Sequence, residues 1–113
     1  MNLCMIRDME SFWSEHWSDK DGNPRGGVTT GTGFTISWQN GPLGRGAERK
    51  RPNGAFVEHI INAAIDRLNY YQGSKFTCQE NAEAIVHLEK AMAVLASRTK
   101  NREVRNVEGT HQR

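Results

Sequence analysis

Arg98, Arg102 and Arg105 recur at steps of four and three, the spacing that lines side chains up on one face of a helix. A guanidinium donates charge-assisted N–H bonds in a planar fork and also stacks on flat rings. Three of them on one face therefore suit the phosphates and base of a nucleotide better than generic surface charge does. The same cations complement the negative end of a helix macrodipole, and that structural use accounts for Arg98 and Arg102 equally well. Rings supply the other half of a nucleotide site: an exposed aromatic side chain stacks a base for about 1–3 kcal/mol. Of Trp38, Tyr70, Tyr71 and Phe76, the first and third fit a core role better, which leaves Tyr70 and Phe76 as the stacking candidates.

Signs of bond-breaking chemistry are missing. His16, His59, His87 and His111 are scattered, and none has metal-ligand spacing to a cysteine or carboxylate; His59 and His87 read as polar-face residues. The chain has no nucleophile elbow, Walker loop or dinucleotide fingerprint, and no recognisable pair of catalytic carboxylates. The expectation is a binding protein, not an enzyme, with no cofactor and no metal.

A chain of 113 residues with 36% hydrophobic and 25% charged residues buries little apolar surface against its ordering entropy, so association between copies is the expected remedy. No apolar run approaches the roughly 18–20 residues of a membrane span, and the start lacks a secretory h-region, which points to the cytosol. Cys4 and Cys78 are too few for a disulfide framework and fit a reducing compartment as inert small side chains. The net charge of +2 is unevenly spread: Asp8, Glu10, Glu15, Asp19 and Asp21 make the first stretch acidic, while Arg45, Arg49, Lys50 and Arg51 form one basic cluster and Arg98, Lys100, Arg102, Arg105 and Arg113 another.

The elements that must position these groups follow from periodicity. Met5, Met9, Phe12, Trp13, His16 and Trp17 fall at steps of three and four, the pattern of a short amphipathic helix over 5–17. Residues 18–32, rich in Gly, Ser, Thr and Asp, read as a flexible linker. Phe34, Ile36 and Trp38 alternate with Thr35, Ser37 and Gln39 as in a half-buried strand, which Asn40-Gly41-Pro42 turns. That strand needs a partner: residues 28–32, Leu43 and its neighbours, or the same strand of another subunit. Pro52-Asn53-Gly54 resembles a helix start with Asn53 as N-cap. Phe56, Val57, Ile60, Ile61, Ala64, Ile65 and Leu68 then make one stripe, with Glu58, Asn62, Asp66 and Asn69 facing away, up to a left-handed stop at Gly73. Thr77-Cys78-Gln79-Glu80 is a capping box opening a second helix, on which Ile85, Leu88, Met92 and Leu95 repeat beside the small Ala84, Ala91 and Ala96. About five residues separate the stripes, so the helices must form an antiparallel hairpin. Asn106 is placed to take the left-handed cap at its end.

Residues 33–111 resemble a family of small bacteriophage proteins, the Thoeris anti-defence proteins of the first type, which share a hairpin domain with the second anti-CBASS protein. The segments that carry the likeness are Phe34-Thr35-Ile36-Ser37-Trp38-Gln39-Asn40-Gly41-Pro42, Asn53-Gly54-Ala55, Glu80-Asn81-Ala82 and the closing Arg98-Thr99, Arg102 and Arg105-Asn106-Val107-Glu108-Gly109-Thr110. Gly is usual in the family where this chain has Asn106. The resemblance covers about two thirds of the chain. It implies a protein that traps cyclic nucleotide immune signals, cyclic ADP-ribose isomers and with them cyclic di- or trinucleotides, without cleaving them. It also implies homo-oligomers, dimers or higher up to a hexamer, with signals held between subunits.

The resulting expectation is an α+β fold: short amino-terminal β-strands in a small antiparallel sheet, which another subunit could complete, then a carboxy-terminal antiparallel two-helix hairpin. Residues 1–32 form a flexible or weakly helical segment and 33–113 the ligand-binding domain. Arg98, Arg102 and Arg105 hold phosphates, Phe76 and Tyr70 stack on a base, and Asn81 and Thr110 read polar edges, in the cytoplasm of an infected bacterial host. The alternative is a small basic nucleic-acid-binding module using both arginine-rich clusters; a plain protein-interaction hairpin is a third possibility, and no partnership with a membrane is expected.

Overall fold

A computed structural model describes residues 12–105 and 110. Its elements run β1 (Trp13–Ser18), β2 (Pro24–Gly31), β3 (Phe34–Trp38), a 3₁₀ turn (Gly46–Glu48), α1 (Val57–Gln72) and α2 (Gln79–Val104). The fold is α+β, with a three-stranded antiparallel sheet followed by a helical hairpin. The chain divides into two compact units after Ala55, with Thr110 grouped with the first.

In the first unit the strand order is β1-β2-β3. The partner of β3 is β2, through pairs from Gly27↔Trp38 to Gly31↔Phe34. Two expectations are corrected. Residues 13–18 are a strand and not part of a helix, and residues 24–31 are a strand and not a linker; the rest of the expected helix, up to residue 11, lies outside the described residues. The three-and-four spacing hid an alternation, because Trp13, Glu15 and Trp17 also fall at steps of two. The glycines that read as linker serve a bulge: between His16↔Gly27 and Ser18↔Pro24, β1 advances two residues while β2 advances three. Gly26 (φ 82°) and Gly27 (φ 145°) take the backbone angles of the extra residue, and a Cβ on Gly27 would strike the carbonyl oxygen of Glu15.

A polar ladder crosses the sheet. Thr29, 9% exposed, accepts a hydrogen bond from Trp38 Nε1 at 2.8 Å and shares one with Ser14 Oγ at 2.8 Å. Beyond β3, Ala55 bridges Trp38 in parallel: Gln39 N donates to Ala55 O at 3.0 Å and Ala55 N to Ser37 O at 2.7 Å. Asn53 is therefore not the helix N-cap. Its Oδ1 accepts from Asn40 N at 2.8 Å and its Nδ2 donates to Asn40 O at 3.0 Å, which closes the basic loop at its two ends. Gly54 is required by this approach, since a Cβ there would lie 2.5 Å from the carbonyl carbon of Trp38.

In the second unit α1 packs on α2 through half-buried side chains, Ile61, Ile65, Leu68 and Tyr71 from the first and Ile85, Leu88, Met92 and Leu95 from the second. The cap of α1 is Phe56, whose N–H donates to His59 Nδ1 at 2.9 Å while His59 N donates to Phe56 O at 3.0 Å. Gly73 ends α1 at φ −87°, not in the left-handed region, and its N–H bonds Asn69 and Tyr70 carbonyls. The cap of α2 is Cys78, one residue after the expected Thr77: its Sγ accepts from Asn81 N at 3.4 Å. Gln72 fixes that cap, with Nε2 donating to Cys78 O and Oε1 accepting from Cys78 N, each at 3.0 Å. The expected left-handed stop at Asn106 lies outside the described residues.

Candidate functional site

Helix α2 runs for 26 residues, well past Leu95, where its apolar stripe ends. Its last turns and its C-cap gather Arg98, Arg102 and Arg105 with Ser97 and Asn101 around one open cleft of about 410 Å³. The three arginines predicted to share a helix face therefore share a surface hollow. Ser97 and Asn101 were missed, although both sit within a turn of the arginines and the same period would have found them. Both add short neutral hydrogen-bonding groups to a cationic wall.

A second omission is Glu58. The outward face predicted for it is corrected: its side chain is 28% exposed, and its Oε2 lies 3.8 Å from Nη2 of Arg98, itself 62% exposed. An antiparallel hairpin sets the first turn of α1 beside the late turns of α2, so sequence separation concealed the proximity.

The predicted stacking residues lie at the other end of the hairpin. Phe76 is 65% and Tyr70 63% exposed. Each has a cation against one side: Lys75 Nζ is 5.5 Å from the Phe76 ring centroid, and the Arg67 guanidinium is 4.8 Å from that of Tyr70 and 4.9 Å from that of Tyr71. Arg67 Nε also donates to the Tyr71 hydroxyl at 3.2 Å, and this bond, then the charge interaction with the same residue, raises its pKa above the usual value. Tyr71 is thus half-buried packing, as its sequence position implied. The Asn81 side chain donates to Phe76 O at 3.4 Å and so is engaged in the tip itself.

Tip and cleft are far apart. From Asn81 to Arg98 the helix climbs roughly 25 Å at about 1.5 Å per residue, more than a small ring compound spans. One chain brings the arginines together but not the arginines with Phe76, Tyr70 and Asn81. Thr110 is half-buried and grouped with the first unit. Among the described residues no group of three or more His, Cys, Asp or Glu is placed to hold a metal ion, and no helix is long and apolar enough to cross a membrane.

Residues 32–100 match the family model described as Acb2/Tad1, hairpin domain. The chain belongs to the Acb2/Tad1 hairpin family. It is 44% identical over 79 residues to the protein named Thoeris anti-defense 1 of Bacillus phage SBSphiJ7. The match covers 70% of this chain and 53% of that relative, so the chain spans about half the relative's length. The Acb2/Tad1 match takes in β3, the pinned basic loop, both helices as far as residue 100 and Arg98. Arg102 follows on the same helix and Arg105 is its C-cap.

Proposed function

We propose that this protein is a phage anti-defence factor. It captures cyclic nucleotide immune signals, cyclic ADP-ribose isomers first and cyclic di- or trinucleotides with them, and holds them uncleaved in the cytoplasm of an infected bacterium. The observation that carries this is the convergence of Arg98, Arg102 and Arg105 on one open cleft. Membership of the Acb2/Tad1 hairpin family and the name of the phage relative support the anti-defence role.

Useful capture needs nanomolar affinity, about 12 kcal/mol. A charge-assisted hydrogen bond contributes about 1.5–3 kcal/mol, so three arginines alone fall short and ring stacking must add to them. With the rings of one chain roughly 25 Å from its own arginines, a second copy laid antiparallel would bring the tip of one hairpin to the cleft of the other. The working form is accordingly a homo-oligomer, a dimer or higher up to a hexamer, with Phe76, Tyr70 and Asn81 from one copy facing Arg98, Arg102 and Arg105 of another. Thr110 would read a polar edge of the ligand. In such a site the protein binds and shields its ligand without cleaving it.

Calorimetry tests this on the full chain. Cyclic ADP-ribose should bind at submicromolar concentration, and Arg102→Ala should weaken binding at least tenfold while leaving the melting temperature unchanged. Equal affinity in the variant would remove Arg102 from the site.

A further inference from the structure

The Glu58–Arg98 contact bears on which anions the cleft accepts. It is a single-point contact between Nη2 and Oε2 at 3.8 Å, not the two-bond fork of a tight arginine–carboxylate pair, and the arginine is 62% exposed. Such a pair hardly fixes a side chain, because solvent competes with it and both partners pay rotamer entropy. Its geometry is weak, yet its charge still acts: a carboxylate beside the cleft repels every incoming anion in proportion to that anion's charge, whatever the detailed pose.

We infer that Glu58 is a specificity-determining residue that blunts the arginine cleft's preference for more highly charged anions. This rests on the reading of that cleft as an anion site. The opposing charge is built into the hairpin and not supplied by a neighbouring loop, since Glu58 stands in the first turn of α1 and Arg98 in the late turns of α2. A ring diphosphate presents few charges and meets a modest penalty. Linear polyphosphates and polynucleotides concentrate more charge in the same space and meet a larger one. Arg98, Arg102 and Arg105 line the cleft against the single carboxylate of Glu58, so attraction persists while the excess is trimmed. At a separation of about 8 Å and near-aqueous screening, one unit charge on the protein changes affinity roughly two- to threefold for each charge on the ligand.

Inorganic pyrophosphate and tripolyphosphate read this directly, because they differ in charge and carry no base. Their dissociation constants are measured at low ionic strength on the full chain and on Glu58→Gln, with Arg102→Ala as the control for location. Glu58→Gln should tighten both and favour tripolyphosphate by at least a further twofold, while Arg102→Ala should weaken both. An equal gain for the two anions, no gain, a loss, or binding that survives Arg102→Ala overturns the inference. A chain that behaves as expected here but ignores cyclic ADP-ribose sinks the proposed cargo and supports the charge selection.

Discussion

At the scale of single residues, much of the local chemistry depends on side chains that reach backbone atoms distant in sequence. The pair formed by Gln72 with both backbone groups of Cys78 closes the turn between α1 and α2. Replacing it with Ala leaves two backbone groups to water and loosens the start of α2. Gln72→Ala should cost about 1 kcal/mol in a urea melt, with little change in helical circular dichroism. The arginine period was legible from one dimension, because i, i+4 and i+7 neighbours on a helix need no knowledge of the rest of the fold. Asn53 was not: it has the type and position of an N-cap, but the strand-like run of Ala55 beside Trp38 delays α1 to Val57 and gives the Asn53 amide to Asn40 instead. Cys78 shows the same one-step shift, since a thiol is a weaker acceptor than the neighbouring threonine hydroxyl and does not announce a cap.

At the scale of elements, the helices were readable because their apolar stripes are long and their connection is short. The strands before residue 32 were not, and the cause is specific. Spacings of four satisfy both a helical and a strand period, as Trp13 and Trp17 do, while Gly26 and Gly27 lend β2 the composition of a linker. Those glycines are there for the bulge, and the bulge sets the register that lays Thr29 beside Ser14 and Trp38. Gly27→Ala forces a side chain into a φ of 145° and against the Glu15 carbonyl. It should lower unfolding free energy by about 1–3 kcal/mol, with the loss visible as a changed tryptophan emission spectrum before the helical signal melts.

At the scale of the whole molecule, the distribution of burial carries the functional reading. Among the described residues no side chain is less than 2% exposed, and Val57, Val86, Val94 and Val104 on the helices are all more than 45% exposed. A hairpin so thinly packed gains from association, and association is also what would bring the ring-bearing tip of one copy within reach of the arginine cleft of another. The family was legible in the sequence because most of its motifs lie along β3 and the two helices within residues 32–100, the span of the Acb2/Tad1 hairpin match, while the closing stretch from Arg102 to Thr110 lies beyond it. The separation of tip from cleft follows from α2 being one unbroken helix of 26 residues, close to the length implied by a capping box at 77–80 and an end near Asn106.

The most direct measurement loads the full chain with a cyclic ADP-ribose isomer, removes unbound ligand, denatures the complex by heat and identifies the released compound by mass spectrometry. Capture without cleavage predicts near-stoichiometric release of the intact ring. Recovery of linear ADP-ribose, or of no nucleotide at all, would contradict it.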